Sequence, residues 1–256
     1  MSTSSNEAIK TLADWLREAQ RGVAFTGAGI STESGIPDFR SPGGVWSRHH
    51  PVMYQDFLRD PAERRRYWQI RKESIPAFAA ARPNAGHLAL ARLEARGHLR
   101  AVITQNIDEL HQRAGSRRVL EVHGTAMKVH CLSCDRRYTG EEIQTRLEAG
   151  EHEPACDDCG GILKSMTVSF GQDLPADTWA EAIKLARTCD CFLAMGSSLV
   201  VHPAAGLPEI ARANGAQFII LNHDPTPLDD IADLVLRTPI GPTLQRVTAR
   251  LDGSGL

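Results

Sequence analysis

Gly22-Val23-Ala24-Phe25-Thr26-Gly27-Ala28-Gly29-Ile30-Ser31-Thr32-Glu33-Ser34-Gly35 is the stretch on which the reading of this chain turns. A short apolar run enters a glycine-rich turn, the pattern of a buried strand feeding an open loop. Without Cβ atoms in the way, the backbone N–H groups of such a turn can approach a pyrophosphate closely. The turn begins like the dinucleotide fingerprint G-x-G-x-x-G. Thr32 stands where the third glycine belongs, however, and no acidic ribose partner is evident. On its own, a turn of this kind is as often an ordinary strand-to-helix connection.

Outward from the turn, helical and strand periods alternate. Asn6 to Gln20 carries Ile9, Leu12, Ala13 and Leu16 on one helical face, and His87 to Arg96 reads as a second helix. Apolar strands are expected at Gly22–Thr26, Ala101–Thr104, Val119–Val122, Cys191–Met195, Gln217–Leu221 and Leu234–Leu236, with a helix over Trp179, Ala182, Ile183 and Ala186. Continuous apolar strands separated by helices imply an α/β fold whose parallel sheet is covered on both faces. Two stretches break the rhythm: an arginine- and aromatic-rich one over residues 45–82, and a cysteine-bearing one over residues 126–164. They are expected to form a smaller lobe inserted in the sheet domain, giving one module over residues 1–256. The large lobe would take residues 1–44, 84–125 and 165–256, and the small lobe residues 45–83 and 126–164.

The cysteines point to metal. Cys131-Leu132-Ser133-Cys134 is answered by Cys156-Asp157-Asp158-Cys159, and a doubled C-x-x-C of this kind closes a tetrahedral zinc site. Four thiolates fill every position of that site, so the zinc would be structural, one per chain. Unrelated thiols or a redox C-x-x-C are the alternatives. Cys189 and Cys191 read as small buried residues. Six cysteines, four of them in these pairs, fit a reducing cytoplasm better than a disulfide framework. A formal net charge of −2 shows no basic field for nucleic acid, and no apolar run approaches membrane length.

Taken together, Gly27 to Ser41, Thr104-Gln105-Asn106-Ile107-Asp108, Val122-His123-Gly124, the paired C-x-x-C, Gly196-Ser197-Ser198-Leu199 and Asn222 resemble the sirtuin family of NAD-dependent protein-lysine deacylases. The chain is particularly similar to bacterial members through Leu110 to Ser116, Gly196 to Pro208 and Pro225 to Ile231. The resemblance implies a Rossmann-type lobe, a small zinc-binding and helical lobe, and a cleft where NAD meets an acyl-lysine protein or peptide.

The chemistry so implied has the acyl oxygen attack the anomeric carbon of NAD's ribose as nicotinamide leaves. His123 then acts as general base on the ribose hydroxyls, a task suited to an imidazole whose ordinary pKa is roughly 6.5. Lysine, nicotinamide and an O-acyl-ADP-ribose are the products. Catalytic roles fall by resemblance to His123, Asn106 and Asp108, with Asp108 holding the nicotinamide carboxamide and Asn106 organising ribose and a water. Cofactor contacts fall to Gly27, Ala28, Thr32, Asp38, Phe39, Arg40, Gln105, Ile107, Asp108, Ser197, Ser198, Asn222 and Ile240. Each has a plainer alternative: a capped strand end for His123, a solvated loop and helix cap for Asp108, a surface arginine for Arg40.

Extended substrates of the family pair with loop backbone, a β-augmentation mode. Here that falls to Val168, Ser169, Phe170 and Gly171 on one side and Val200 on the other. Gln172 stands where the family commonly has an acid. The acyl end turns on Trp68 and Arg71, where family members acting on succinyl groups tend to show Tyr-x-x-Arg. Trp68 replaces the phenol, so a neutral acyl group, acetyl by default, is expected; Arg71 reads equally as part of a solvated arginine-rich helix over Arg64 to Lys72. The rival function is an NAD-dependent protein ADP-ribosyltransferase, in which another nucleophile traps the same sugar. A nucleotide sensor is a more distant one, disfavoured by an intact His123.

Overall fold

Six of the apolar runs pair side by side into one parallel sheet in the computed structural model, which describes residues 3–38, 44 and 50–253. In chain order the strands are β1 (Gly22–Thr26), β2 (Leu99–Thr104), β3 (Val119–Glu121), β4 (Gly124–Cys131), β5 (Arg137–Thr139), β6 (Leu163–Thr167), β7 (Cys191–Met195), β8 (Gln217–Leu221) and β9 (Leu234–Leu236). The helices are α1 (Thr3–Glu18), α2 (Tyr54–Arg59), α3 (Pro61–Ala80), α4 (Ala85–Ala95), α5 (Leu110–Arg113), α6 (Gly140–Glu148), α7 (Ala176–Thr188), α8 (Leu207–Ala213) and α9 (Ile240–Leu251).

The large sheet runs β3-β2-β1-β7-β8-β9. Its order reverses between β1 and β7, and that switch point opens a crevice at the strands' carboxyl ends, the usual ligand position in such sheets. Successive residues of β1 point to opposite faces. Ala24 packs with Leu12 and Leu16 of α1, Leu90 and Leu93 of α4, and Leu244 and Val247 of α9. Val23 and Phe25 face Ala182, Leu185 and Ala186 of α7 and Leu207 and Ala211 of α8. Burial on both faces is why these strands read as unbroken apolar runs rather than alternating ones.

The element ends differ from expectation for local reasons. The second expected helix begins at Ala85 because Asn84 caps it, accepting from the amides of Gly86 and His87 at 2.8 and 3.4 Å. The helix expected from Asn6 begins at Thr3 and ends at Glu18, before the Gly22 strand. The arginine-rich stretch forms α2 and α3, the latter capped by Asp60 and 20 residues long.

The rest of the chain builds a three-stranded antiparallel sheet in the order β5-β4-β6. Phe57, Tyr67 and Trp68 from α2 and α3 pack with Val129, Tyr138, Ile143 and Leu147 in a core of their own. The α/β class and the smaller lobe expected from the sequence are therefore both present.

Candidate active site

Three glycines, Gly27, Gly29 and Gly196, make the floor at the switch point. Gly27 N donates to Met195 O at 3.0 Å and Gly29 N to Gly196 O at 2.8 Å, locking the turn after β1 onto the end of β7. A Cβ on Gly29 would lie 2.7 Å from Gly196 Cα, and one on Gly196 only 2.4 Å from Ile30 N. Gly196 also has φ 58°, in the left-handed region. Only bare backbone fits here, so the floor presents main chain to whatever lies above it. Thr32 turns its hydroxyl to Gly29 O at 2.9 Å, which gives it a structural partner within the turn.

Beside the floor lies a buried polar network. Ser31 Oγ donates to Asp108 Oδ2 at 2.7 Å, while Asn106 Nδ2 donates to Ser31 Oγ at 3.0 Å. Asp108 Oδ1 accepts from Leu110 N at 2.9 Å, so the carboxylate also caps α5. Burial pushes the Asp108 carboxyl up, against the pull of these hydrogen bonds. Behind Ser31, His87 takes the Asn84 amide on Nδ1 at 3.3 Å, leaving Nε2–H to face the serine at 3.5 Å. His111 Nε2 lies 2.9 Å from Thr26 Oγ1, whose own proton goes to Thr104 Oγ1 at 2.8 Å. Burial pushes His87 down to about 4 and His111 to about 3, so both rings are neutral.

His123 follows β3. Its Nδ1 lies 3.2 Å from Gln105 O; the carbonyl can only accept, so Nδ1 carries the hydrogen and Nε2 is left unprotonated. Burial holds this imidazole below its ordinary value, the Gln105 bond opposing it. The Gln105 side chain reaches across to Ser197 Oγ at 2.7 Å, and Leu199 N donates to the same oxygen at 3.3 Å.

The other expected residues fall on strand ends and loops of the large sheet and on the segments that join the two sheets. His123 O accepts from Val168 N at 2.9 Å, which attaches the Val168–Gly171 loop directly to the histidine. Phe170 is 41% exposed and Val200 47%. Ser169 and Gln172 close that loop on each other, Ser169 N donating to Gln172 Oε1 at 3.1 Å. Asn222 follows β8, with its amide on Leu236 O at 3.1 Å and its side chain on Asp224 O at 2.8 Å. Ile240 starts α9, where Gly241 N donates to Glu33 Oε1 at 3.0 Å, tying that end to the glycine turn. Ala28, Asp38 and Ser198 are half-buried on the connecting loops, whereas Ile107 packs against the junction of the two sheets. Phe39 and Arg40 lie outside the described residues.

On α3, the ring beneath Arg71 is that of Tyr67, 4.9 Å from the guanidinium, rather than Trp68. Trp68 is 1% exposed and lies in the small-lobe core. Arg71 Nη2 donates to Thr167 Oγ1 at 3.0 Å, so this arginine reaches the end of β6 and is not merely solvated. Lys164, 1% exposed, stands over the same tyrosine ring at 5.9 Å. Although burial raises the Tyr67 phenol, Arg71 and Lys164 pull it down to about 7.

Cys131, Cys134, Cys156 and Cys159 bring their sulfurs within 4.8 Å of one another. Individual separations of 3.4–3.6 Å suit a zinc tetrahedron, whose sulfur–sulfur edges are about 3.8 Å for bonds of about 2.3 Å. Ser133 N and the Tyr138 hydroxyl donate to two of the sulfurs, the support that thiolate ligands receive. Gly124 and Cys131 stand at opposite ends of the 8-residue β4, roughly 23 Å apart along the strand at ~3.3 Å per step. Ser31, Asn84, His87, His111 and Tyr67 are the site residues that motif reading passed over. Only His87, which leads the apolar run Leu88–Leu90, stood out locally; the others are drawn in by contacts distant in the chain.

Residues 27–203 match the Sir2 family. An NAD-dependent protein deacetylase of Rhodopseudomonas palustris is 46% identical over 243 residues, 94% of this chain and 96% of its own. NAD-dependent protein deacetylase 1 of Bradyrhizobium diazoefficiens is 47% identical over 238 residues, 92% and 93% of the two chains. A solved Sir2–p53 peptide–NAD+ complex superposes with a TM-score of 0.88 at 40% identity, covering 96% of this chain and 99% of that one. Sir2Tm bound to a propionylated peptide superposes at 0.86 with 40% identity and coverages of 96% and 98%. With motifs, topology and glycine floor in agreement over nearly its whole length, this chain belongs to the Sir2 family.

Proposed function

We infer that this protein is an NAD-dependent protein-lysine deacylase that moves an acyl group from lysine onto ADP-ribose and releases nicotinamide. The observation that carries this is the neutral His123, its Nε2 unprotonated, beside a bare-backbone crevice at the sheet's switch point. NAD as co-substrate supplies an electrophilic anomeric carbon and a good leaving group; everything else is the protein's contribution. Gly27, Ala28 and Gly29 take the pyrophosphate on main-chain N–H groups, with Ser197 and Ser198 closing over it. Asn222 and Ile240 receive the adenosine end. Asp108 grips the nicotinamide carboxamide, held in place by Ser31, while Asn106 orients ribose and water. His123 removes a ribose hydroxyl proton through Nε2 and returns the proton to solvent. Extended peptide pairs with Val168–Gly171 and Val200, and Arg71 lies at the acyl end. Zinc on the four cysteines holds the small lobe together and takes no part in the chemistry.

Among the described residues no helix is long and apolar enough to cross a membrane. Four free thiols gathered for a metal suit a reducing compartment, and we place the enzyme in the cytoplasm. Incubation of an acetyl-lysine peptide with and without NAD tests the function. Deacetylation is expected only with NAD, one nicotinamide being released per acetyl removed. A peptide that gains ADP-ribose while keeping its acetyl group would make the protein a transferase instead.

A further inference from the structure

Glu121 ends β3 two residues before His123, and the chemistry above makes no use of it. It sits opposite Thr104 in the parallel register, and the next amide, Val122 N, donates to Thr104 O at 3.0 Å. Its Oε1 is shut off from water and has no hydrogen-bond partner among the described residues. The Gln112 side chain of α5 is the neighbouring group that most favours its ionised form. The charged groups facing it are Asp108 and Glu109 from the turn before α5 and Lys128 from β4. From α7, Glu181 is engaged with Arg118 and Lys184.

That turn carries the join between the two sheets. Glu109 has φ 58°, its Oε1 accepts from Thr125 Oγ1 at 2.8 Å, and Lys128 Nζ lies 3.3 Å away. Its neighbour Asp108 uses both carboxylate oxygens, on Leu110 N and Ser31 Oγ. An ionised Glu121 would add a third negative charge beside these two, with one oxygen dry and unpaired, which is costly. A neutral carboxyl in the same place costs much less. Burial, reinforced by the Glu109 charge, pushes the Glu121 carboxyl up to about 7, so both forms are within reach of a working pH.

We propose that Glu121 is a positioning residue for the nicotinamide end of the site. As a neutral carboxyl it adds no charge beside the Asp108–Glu109 turn and leaves that turn's hydrogen bonds intact; as a carboxylate it repels both neighbours and loosens them. The inference rests on the assignment of Asp108 to the nicotinamide carboxamide.

The test is the KM for NAD and kcat on an acetyl-lysine peptide, for wild type, Glu121→Gln and Glu121→Ala, from about pH 6 to about pH 9. Wild type is expected to show KM for NAD rising several-fold above about pH 7. Glu121→Gln, unable to ionise, should keep the low-pH KM across the range, and Glu121→Ala should have a raised KM at every pH. A Glu121→Gln profile that rises like that of wild type overturns the proposal. Should the variants fail to fold, carboxyl NMR of ¹³C-glutamate-labelled wild type decides. One glutamate titrating near neutrality, with the Gln112 side-chain signal shifting at the same midpoint, supports the proposal; all glutamates titrating below about pH 5.5 refutes it. Asp108→Asn separates the two levels. Unchanged NAD cleavage there removes the Asp108 assignment and this inference with it, whereas lost cleavage beside an unaltered Glu121→Gln profile removes the Glu121 role alone.

Discussion

His123 Nδ1 lies 3.2 Å from the main-chain oxygen of Gln105, and that contact decides which ring nitrogen is free to act as a base. The same Gln105 holds Ser197 through its side chain at 2.7 Å, so one residue just after β2 orients the His123 ring and fastens the loop after β7. Both sides of the crevice are set by one strand end.

His123→Ala removes the base and leaves the glycine floor untouched. Turnover is expected to drop ~10²–10⁴-fold, the usual contribution of general-base assistance, with NAD affinity within a few-fold of wild type. Burial holds the imidazole below its ordinary value, so wild-type activity should rise with pH on the acid side and level off by neutrality. Titration calorimetry for NAD beside steady-state rates checks both parts. Near-normal deacylation by the variant would mean that another group is the base.

Gly196→Ala tests the floor. The new Cβ would meet Ile30 N at 2.4 Å, a clash with backbone that no rotamer relieves. The turn must open, and NAD binding should weaken at least tenfold. Melting should fall as well, by about 2–4 °C for each kcal/mol lost in a chain of this size. Unaltered NAD affinity would show that the Gly29–Gly196 approach does not form the binding surface.

His87 and His111 stay neutral down to about 4 and about 3, whereas the unfolded chain takes up protons near 6.5. A depressed pKa of this kind means that the unfolded state binds more protons, so stability is fully present above about pH 6.5 and is lost as pH falls. Each ring contributes at most about 1.4 kcal/mol per pH unit in that window. Thermal unfolding at a series of pH values should show the loss, and it should be shallower in His111→Gln. An identical slope in the variant contradicts the account.

Zinc removal is expected to act through folding. Chelation should melt the core around Val129, Tyr138 and Leu147, and activity should go with it, because bound metal contributes folding free energy. Metal analysis finding no zinc in folded, active protein would refute the assignment.

Arg71 is expected to matter for charged acyl groups and little for acetyl. Its guanidinium lies between the Tyr67 ring and Thr167 Oγ1 with Nε unpaired among the described residues. Acetyl-lysine should be the default substrate. Arg71→Ala should spare that activity within a few-fold while reducing turnover of succinyl-lysine. A wild-type enzyme that clearly prefers succinyl-lysine, or a variant that loses acetyl turnover, speaks against this.

Most of the large sheet was legible because its strands are buried on both faces. Cys191–Met195 is uniformly apolar and Gln217–Leu221 is apolar after its first residue, and their limits coincide with the observed strands. The start of α4 was misplaced by two residues because Asn84 and His87 cap each other, a pairing that apolar periodicity does not register. Motif reading singled out His123, Asn106 and Asp108, which lie in short strings at strand ends. It missed Ser31 and His111, whose importance lies in contacts spanning 77 and 85 residues of chain. Placing Trp68 rather than Tyr67 beside Arg71 has a similar cause. Both are helical neighbours of the arginine, and only the packing of the small-lobe core decides which ring turns toward it.

The most direct test follows the acyl group itself. An acetyl-lysine peptide carrying ¹³C in its acetyl group is incubated with NAD, and the products are separated and weighed by mass spectrometry. Label is expected in O-acetyl-ADP-ribose, in equal amount to the nicotinamide and free lysine peptide formed, with labelled O-acetyl-ADP-ribose and free lysine peptide reduced ~10²–10⁴-fold in His123→Ala. Label leaving as free acetate without NAD consumption, or remaining on a peptide that has gained ADP-ribose, would contradict the account.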